Sequence, residues 1–310
     1  MNPYRLRAYF AILTATIIWG VAGPIIKYTL GGIDALTFLT YRFALSSIVA
    51  IISFFIAGVH IPRSPKTLVK LLFYGLMTSS VSLGLLFFGL EKTTVLDETL
   101  ITLVSPLLIS AAGAYFLKEH VTLREKVGMG IALLGTVFTV IEPIIQNGNS
   151  SSRISGNILI VFYLIATVIC AIIAKELLRE DVKPLTMTNF SFITGFITLL
   201  PFALVKYGFT NIATTISNLE FPYQLGVFYM AILSGSLAYT LSHAGQKTIE
   251  IGEASVFSYL YPLFAAPLAV LWLGEKITSS FILGGAIITV GVVIAEYKRS
   301  KSSTNNQAAS

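Results

Sequence analysis

Arg42, Glu98, Glu253 and His243 are ionisable residues set within, or at the ends of, long apolar runs. A charge in such a run is costly, so it faces an interior or a water-filled space and marks a functional site by default. Arg42, in TYRFALSS (40–47), lies about eight residues into its run, roughly 12 Å deep at about 1.5 Å per residue. A guanidinium there can hold a carboxylate. It can equally pair with an acidic neighbour or a loop carbonyl, and both readings stay open. Glu98 and Glu253 each open the run that leads to a proline, in DETLITLVSP and GEASVFSYLYP. Either carboxylate can exchange protons, or simply complement a helix N-terminus.

His243 follows Tyr239 by one helical turn; the spacing suits a proton relay, and a lone interfacial histidine is the other reading. Trp19 lies mid-run beside Gly20, with Pro24 one turn on, away from the ends where tryptophan belts sit. It can stack on a flat or cationic molecule or serve packing alone. Tyr163, Tyr239, Tyr259 and Tyr261 place hydroxyls along apolar runs. Lys27 and Lys175 close two runs at matching places, where long stems let the ammonium reach the interface.

Several chemistries are missing. Cys170 is the single cysteine, so no disulfide framework or thiolate metal site is available. His60, His120 and His243 are scattered, and there is no HExxH, GxSxG or GxxxxGK[ST]. We expect no metal, no cofactor and no catalytic residues, and read the chain as a non-enzyme. A lipid-acting integral-membrane enzyme, or a lipid-handling protein without transport activity, is the alternative. The formal net charge of +6 comes from short basic clusters between apolar runs, which argues against a nucleic-acid partner.

These residues need elements to hold them. The chain is 55% hydrophobic and 12% charged, with a mean hydropathy of +0.81; soluble domains carry about 25% charge. A bilayer core about 30 Å thick needs roughly 20 apolar residues per helix. Ten runs qualify, at about 8–28, 34–57, 68–90, 98–117, 127–145, 157–175, 185–205, 222–246, 253–273 and 281–297. Shifting the chain by 156 positions lays Pro106–Val137 on Pro262–Val293, with nine of 32 positions identical. The period is half the chain, so the expected fold is all-α and integral to the membrane: ten transmembrane helices in two five-helix repeats.

Five spans per repeat invert the second copy. With the N-terminus in the cytoplasm, 15 of the 21 lysines and arginines fall on the inner side and five on the outer, Arg42 lying within a span. That bias predicts cytoplasmic termini and opposed repeats. The turn KEHVTLREK carries four basic residues and its copy GEKITSS one, as opposite faces require. Inverted repeats hold substrate near the midplane between halves. The expected organisation is a first repeat at 8–145, a flexible outer link at 146–156, a second repeat at 157–297 and a disordered cytoplasmic tail at 298–310. The Lys206–Phe221 connector, with TNIATTISNLE, is expected partly on the outer surface.

Gly128, Gly130 and Gly135, with Gly284, Gly285 and Gly291, form close-packing faces, within one chain or between two, so monomer and homodimer both stay open. Pro106, Pro262 and Pro267 kink their helices and are candidate gating hinges or static bends.

IIWGVAGPIIK (17–27), TYRFALSS, SP…LKE and YP…LGE…GG…G, in this order over about residues 8–297, resemble the drug/metabolite transporter superfamily, specifically its EamA-type members. The second half departs from the pattern, offering CAIIAK (170–175) and TNFSF (188–192) where the first has Trp-Gly and Arg-Phe. The resemblance implies a multi-pass plasma-membrane carrier that moves small metabolites, often outward, by alternating access. It implies a small-molecule substrate such as an amino acid or drug-like amphipathic compound, and lipid as surroundings. In that frame Trp19, Arg42, Glu98, Tyr163, Tyr239 and Tyr259 are the substrate-binding candidates. Glu98, Glu253 and His243 are the candidates for proton coupling.

Overall fold

The structure is a computed structural model and describes residues 3–58, 61–117, 123–146 and 151–296. Among these the regular structure is entirely helical. Helices satisfy every backbone group internally, which lipid demands of a spanning segment. In chain order the spans are α1 (Pro3–Thr29), α2 (Ala35–Ala57), α3 (Pro65–Lys92), α4 (Val95–Phe116), α5 (Leu123–Gln146), α6 (Ser151–Arg179), α7 (Pro184–Tyr207), α8 (Phe221–Thr248), α9 (Ile251–Leu271) and α10 (Ser279–Glu296). Among the described residues α1–α4 and α6–α9 are long and apolar enough to cross a membrane, and α5 and α10 carry shorter apolar stretches, Lys126–Ile141 and Phe281–Ile294.

Side chains are sorted for lipid. Phe55 is 87% exposed and Val205 90%, while Arg42 and Asn157 are 0% exposed. An apolar outside and a partly polar inside suit hydrocarbon as solvent, so the chain is a multi-pass membrane protein. Helix ends are set locally. Asp34 Oδ1 accepts the Leu36 and Thr37 N–H groups to start α2, and Thr94 Oγ1 accepts the Asp97 N–H to start α4. Gly58 and Gly208 end α2 and α7 at φ of 74° and 76°, a conformation a side chain disfavours.

The fold is two inverted five-helix repeats, and hydrogen bonds carry the repeat as clearly as sequence does. Lys27, ending α1, donates to the Leu90 and Thr93 carbonyls where α3 ends, both at 2.7 Å. Lys175, near the end of α6, donates to the Gln246 and Ile249 carbonyls where α8 ends, both at 2.6 Å. Leu90 and Thr93 map onto Gln246 and Ile249 at the same shift of 156. Lys175 is buried and Lys27 half-buried, and both ammonium groups are tied to helix termini instead of reaching out to the interface.

Both α3 and α8 contain a π-helical stretch, Leu76–Ser82 and Tyr229–Leu237. Both α4 and α9 are interrupted, at Leu103–Val104 and by a 3₁₀ turn over Val256–Leu260, just before Pro106 and Pro262. A proline withdraws one backbone donor, and the chain breaks in the turn ahead of it. Pro267 sits inside the continuing part of α9.

The glycine faces pack α5 against α10 within one chain. A Cβ on Gly135 would come 2.9 Å from the Ile288 backbone N, and one on Gly291 would come 2.5 Å from that of Ala132. The polar stretch expected as a free link is partly helical, since α6 starts at Ser151. Arg153 and Asn157 find partners on Asp97 there, which draws that stretch into the helix. Beyond α7 a surface helix, Phe209–Ser217, buries Ile212 beside Leu36 and Ala203. Glu119, His60, His120 and the 298–310 segment lie outside the described residues.

Candidate functional site

A cavity of about 220 Å³ lies between the repeats, walled by residues of α1–α4 from the first half and α6, α8 and α9 from the second. Arg42 and Glu98 are the charged residues among those lining it. Hydroxyls from Thr78, Ser82, Thr102, Ser105, Tyr163, Tyr239 and Tyr261 are distributed around them.

Arg42 is fully buried, and among the described residues none of its three guanidinium nitrogens has a hydrogen-bond partner. Instead the rings of Phe43, Phe87 and Phe192 surround it, with centroids 5.5, 5.5 and 5.8 Å from Cζ. Ring faces attract a cation but do not replace its five hydrogen bonds. Among the described residues neither structural partner considered for Arg42, an acidic side chain or a loop carbonyl, hydrogen-bonds to it. A buried donor fork without an acceptor is complementary to a carboxylate that arrives with a ligand.

Glu98, in the first turn of α4, is half-buried and reaches the cavity beside α1, where Oε2 would lie 3.4 Å from a Cβ on Gly23. Its carboxylate accepts weakly from its own helix, from Thr99 Oγ1 at 3.5 Å. It can therefore accept hydrogen bonds from a bound molecule or take up a proton.

The aromatic candidates converge. Trp19 Nε1 donates to the Ser234 carbonyl at 3.0 Å, and its ring meets Tyr239 edge-on at 5.0 Å. Ser234 lies in the π-helical stretch of α8, and its carbonyl ties the indole in place. Tyr163 also lines the cavity. Tyr259 does not; the break in α9 turns it off the wall and presents Tyr261, two residues on.

His243 lines the cavity, but both ring nitrogens are occupied, Nε2 with Tyr74 Oη at 2.7 Å and Nδ1 with Thr188 Oγ1 at 3.1 Å. Glu253 lies off the cavity, held by Arg5 and Tyr9. It is the counterpart of Asp97, not of Glu98, at the shift of 156. Pro106, Pro262 and Pro267 are also off the cavity wall, at or beyond the breaks. Outside the spans, burial pushes the Glu275 carboxyl up, while the Val95 and Leu96 N–H groups it accepts pull the other way.

Sequence reasoning passed over Thr78 and Ser82, both on the cavity wall. The signal was present as LMTSSVS, four hydroxyls clustered in an apolar run. Of that cluster, Ser79 and Ser80 turn to α7, bonding Ser191 and Thr198.

The comparisons with known proteins agree with this architecture. The model of the EamA-like transporter family matches twice, over residues 6–141 and 154–297. An uncharacterised transporter, YyaM, of Bacillus subtilis (strain 168) is 23% identical over 292 residues, covering 94% of each chain. A probable amino-acid metabolite efflux pump of Salmonella typhimurium is 26% identical over 292 residues, covering 92% of this chain and 93% of its own. A crystal structure with 18% identity superposes with a TM-score of 0.61 over 93% of this chain and 96% of its own, which shows the shared fold. With both repeats matched and the cavity between them, the chain belongs to the EamA-like transporter family and is a membrane transporter.

Proposed function

We propose that the chain exports a small zwitterionic metabolite of amino-acid type across the plasma membrane by alternating access. One observation carries the reading: Arg42 is buried on the cavity wall with every guanidinium nitrogen unpartnered. In the bound complex Arg42 receives the carboxylate. Glu98, the other charge on the wall, accepts the ammonium. The aromatic surface of Trp19 and Tyr239 borders the remaining space. At about 220 Å³ the cavity is smaller than the ~300–1,000 Å³ of drug-sized pockets, which favours an amino acid over a bulky xenobiotic. The Salmonella relative is named for amino-acid metabolites, in keeping with this reading.

Glu98 is also where a proton competes with the ammonium, so proton entry exchanges for substrate exit. His243 and Glu253 are less suited to that task, being engaged by other side chains. The basic bias of one face supports cytoplasmic termini.

A ligand panel tests the proposal through thermal unfolding of the purified protein, since a ligand bound to the folded state raises its stability. Leucine and phenylalanine should stabilise the chain more than 4-methylpentanoate, which lacks the amine, or 3-methylbutylamine, which lacks the carboxylate. Stabilisation by the amine alone, or by none of the four, would overturn the reading.

A further inference from the structure

Two ion pairs off the cavity wall occupy equivalent places in the two halves. In one, Arg5 in the first turn of α1 donates to both Glu253 oxygens, at 2.6 and 2.9 Å, and Tyr9 Oη donates to the same carboxylate. In the other, Arg153 in the first turn of α6 donates through Nε and Nη2 to Asp97, both at 2.7 Å, and Asn157 Nδ2 adds a bond at 3.0 Å.

The correspondence holds residue by residue. A shift of 148 carries Arg5 onto Arg153 and Tyr9 onto Asn157, while a shift of 156 carries Asp97 onto Glu253. Each pair crosses between the repeats, joining the opening helix of one to the interrupted helix of the other.

Asp97 and Glu253 stand on short first segments, Val95–Thr102 and Ile251–Ser255, which end at the breaks in α4 and α9. A segment with a break at one end and an ion pair near the other is a lever, and its held end is tied further by Lys27 and Lys175 through the Thr93 and Ile249 carbonyls and, on the first, by Glu275. The same levers border the cavity, through Glu98 and Thr102 on one and Ala254 and Ser255 on the other. We infer that the two pairs are latches for the opposite ends of the cavity, and that transport releases them one at a time.

The latches differ in strength. The Asp97 side chain is 1% exposed and that of Arg153 26%, and Asp97 accepts from Arg153, Asn157 and Thr93. Arg5 and Glu253 are 49% and 32% exposed, so water and salt weaken their attraction. The Arg5–Glu253 latch therefore yields first, and its end of the cavity opens more readily. With cytoplasmic termini that end faces the cytoplasm, where an exporter must load.

Cys170, the chain's single cysteine, lines the cavity and serves as a native reporter. Its alkylation by a membrane-impermeant maleimide is measured from outside in intact cells and from inside in inverted vesicles, normalised to total thiol after denaturation. Glu253→Gln should raise labelling in inverted vesicles about threefold and lower it in cells. Asp97→Asn should do the reverse, by roughly tenfold, because a buried latch is lost. Arg153→Gln acts on the same latch from α6 and replaces Asp97→Asn should that variant fail to fold. The exchanged pair Arg5→Glu with Glu253→Arg should restore the parent rates. Opposite effects of the two latches support the inference whichever face is cytoplasmic. Labelling that moves in the same direction for both, or for neither, overturns it.

Discussion

Replacing Arg42 by methionine separates a structural arginine from one kept for a ligand. Without ligand, the buried guanidinium forfeits its hydration, a penalty of several kcal/mol for a buried ion. What it gains in return is three ring contacts at 5.5–5.8 Å, each worth roughly 0.5–2 kcal/mol, and no hydrogen bond. The two sides come close to cancelling, so Arg42→Met should leave the ligand-free protein as stable as the parent, or stabilise it by about 1 kcal/mol or more. Ligand binding should respond in the opposite sense. A bidentate carboxylate contact comprises two charge-assisted bonds of about 1.5–3 kcal/mol each, so affinity for leucine should fall by roughly 10²–10⁴-fold. Thermal unfolding with and without leucine reads both effects. Parent protein at 100 times its Kd should gain about 2.7 kcal/mol, and Arg42→Met at the same concentration close to none. A variant that unfolds several kcal/mol more easily, yet keeps the leucine shift, would return Arg42 to a structural role and refute the reasoning.

Other changes test the surrounding structure. Lys27→Met and Lys175→Met each remove two charge-assisted bonds to helix-terminal carbonyls and should each cost about 3 kcal/mol in thermal unfolding; equal losses would bear out their equivalence, and no loss would show them dispensable. Gly291→Ala forces a Cβ to 2.5 Å from the Ala132 backbone and should destabilise by about 1–3 kcal/mol. Gly130→Ala, with open space around it, should be neutral or stabilise by about 0.5–1 kcal/mol, and the contrast between the two glycines is the check. Glu98→Gln should narrow the preference for leucine over 4-methylpentanoate to about equal affinity while leaving carboxylate binding in place. A preference that survives would remove Glu98 from ammonium recognition.

The fold was legible because lipid imposes strong rules on sequence. Apolar run length, basic loop bias and the 156-residue period gave the spans and their inversion before any contact was known. The site was legible only in part. Arg42 stood out as a charge in an apolar run, but whether an acid met it depended on neighbours contributed by α3 and α7. Glu98 and Glu253 looked like a pair because each opens a proline helix, and only the shift of 156 with the Arg5 and Arg153 contacts separated them. Glu253 belongs with Asp97, which as a first-turn acid carried no distinguishing signal. Tyr259, the candidate read from sequence, gives way on the cavity wall to Tyr261, since a 3₁₀ turn changes which way successive side chains face and no residue pattern announces it. The lysine ties were hidden for a related reason. Snorkelling and capping use the same long side chain at the same helix end, and the choice depends on whether a second helix terminates within reach.

The central claim, that this chain carries an amino-acid-type zwitterion through the cavity between its repeats, is tested most directly by leucine exchange in proteoliposomes. Protein reconstituted with internal leucine should exchange it for labelled external leucine saturably and without ATP, and Arg42→Met should abolish that exchange. Leucine flux no faster than in empty liposomes, or flux that Arg42→Met leaves intact, would contradict the account.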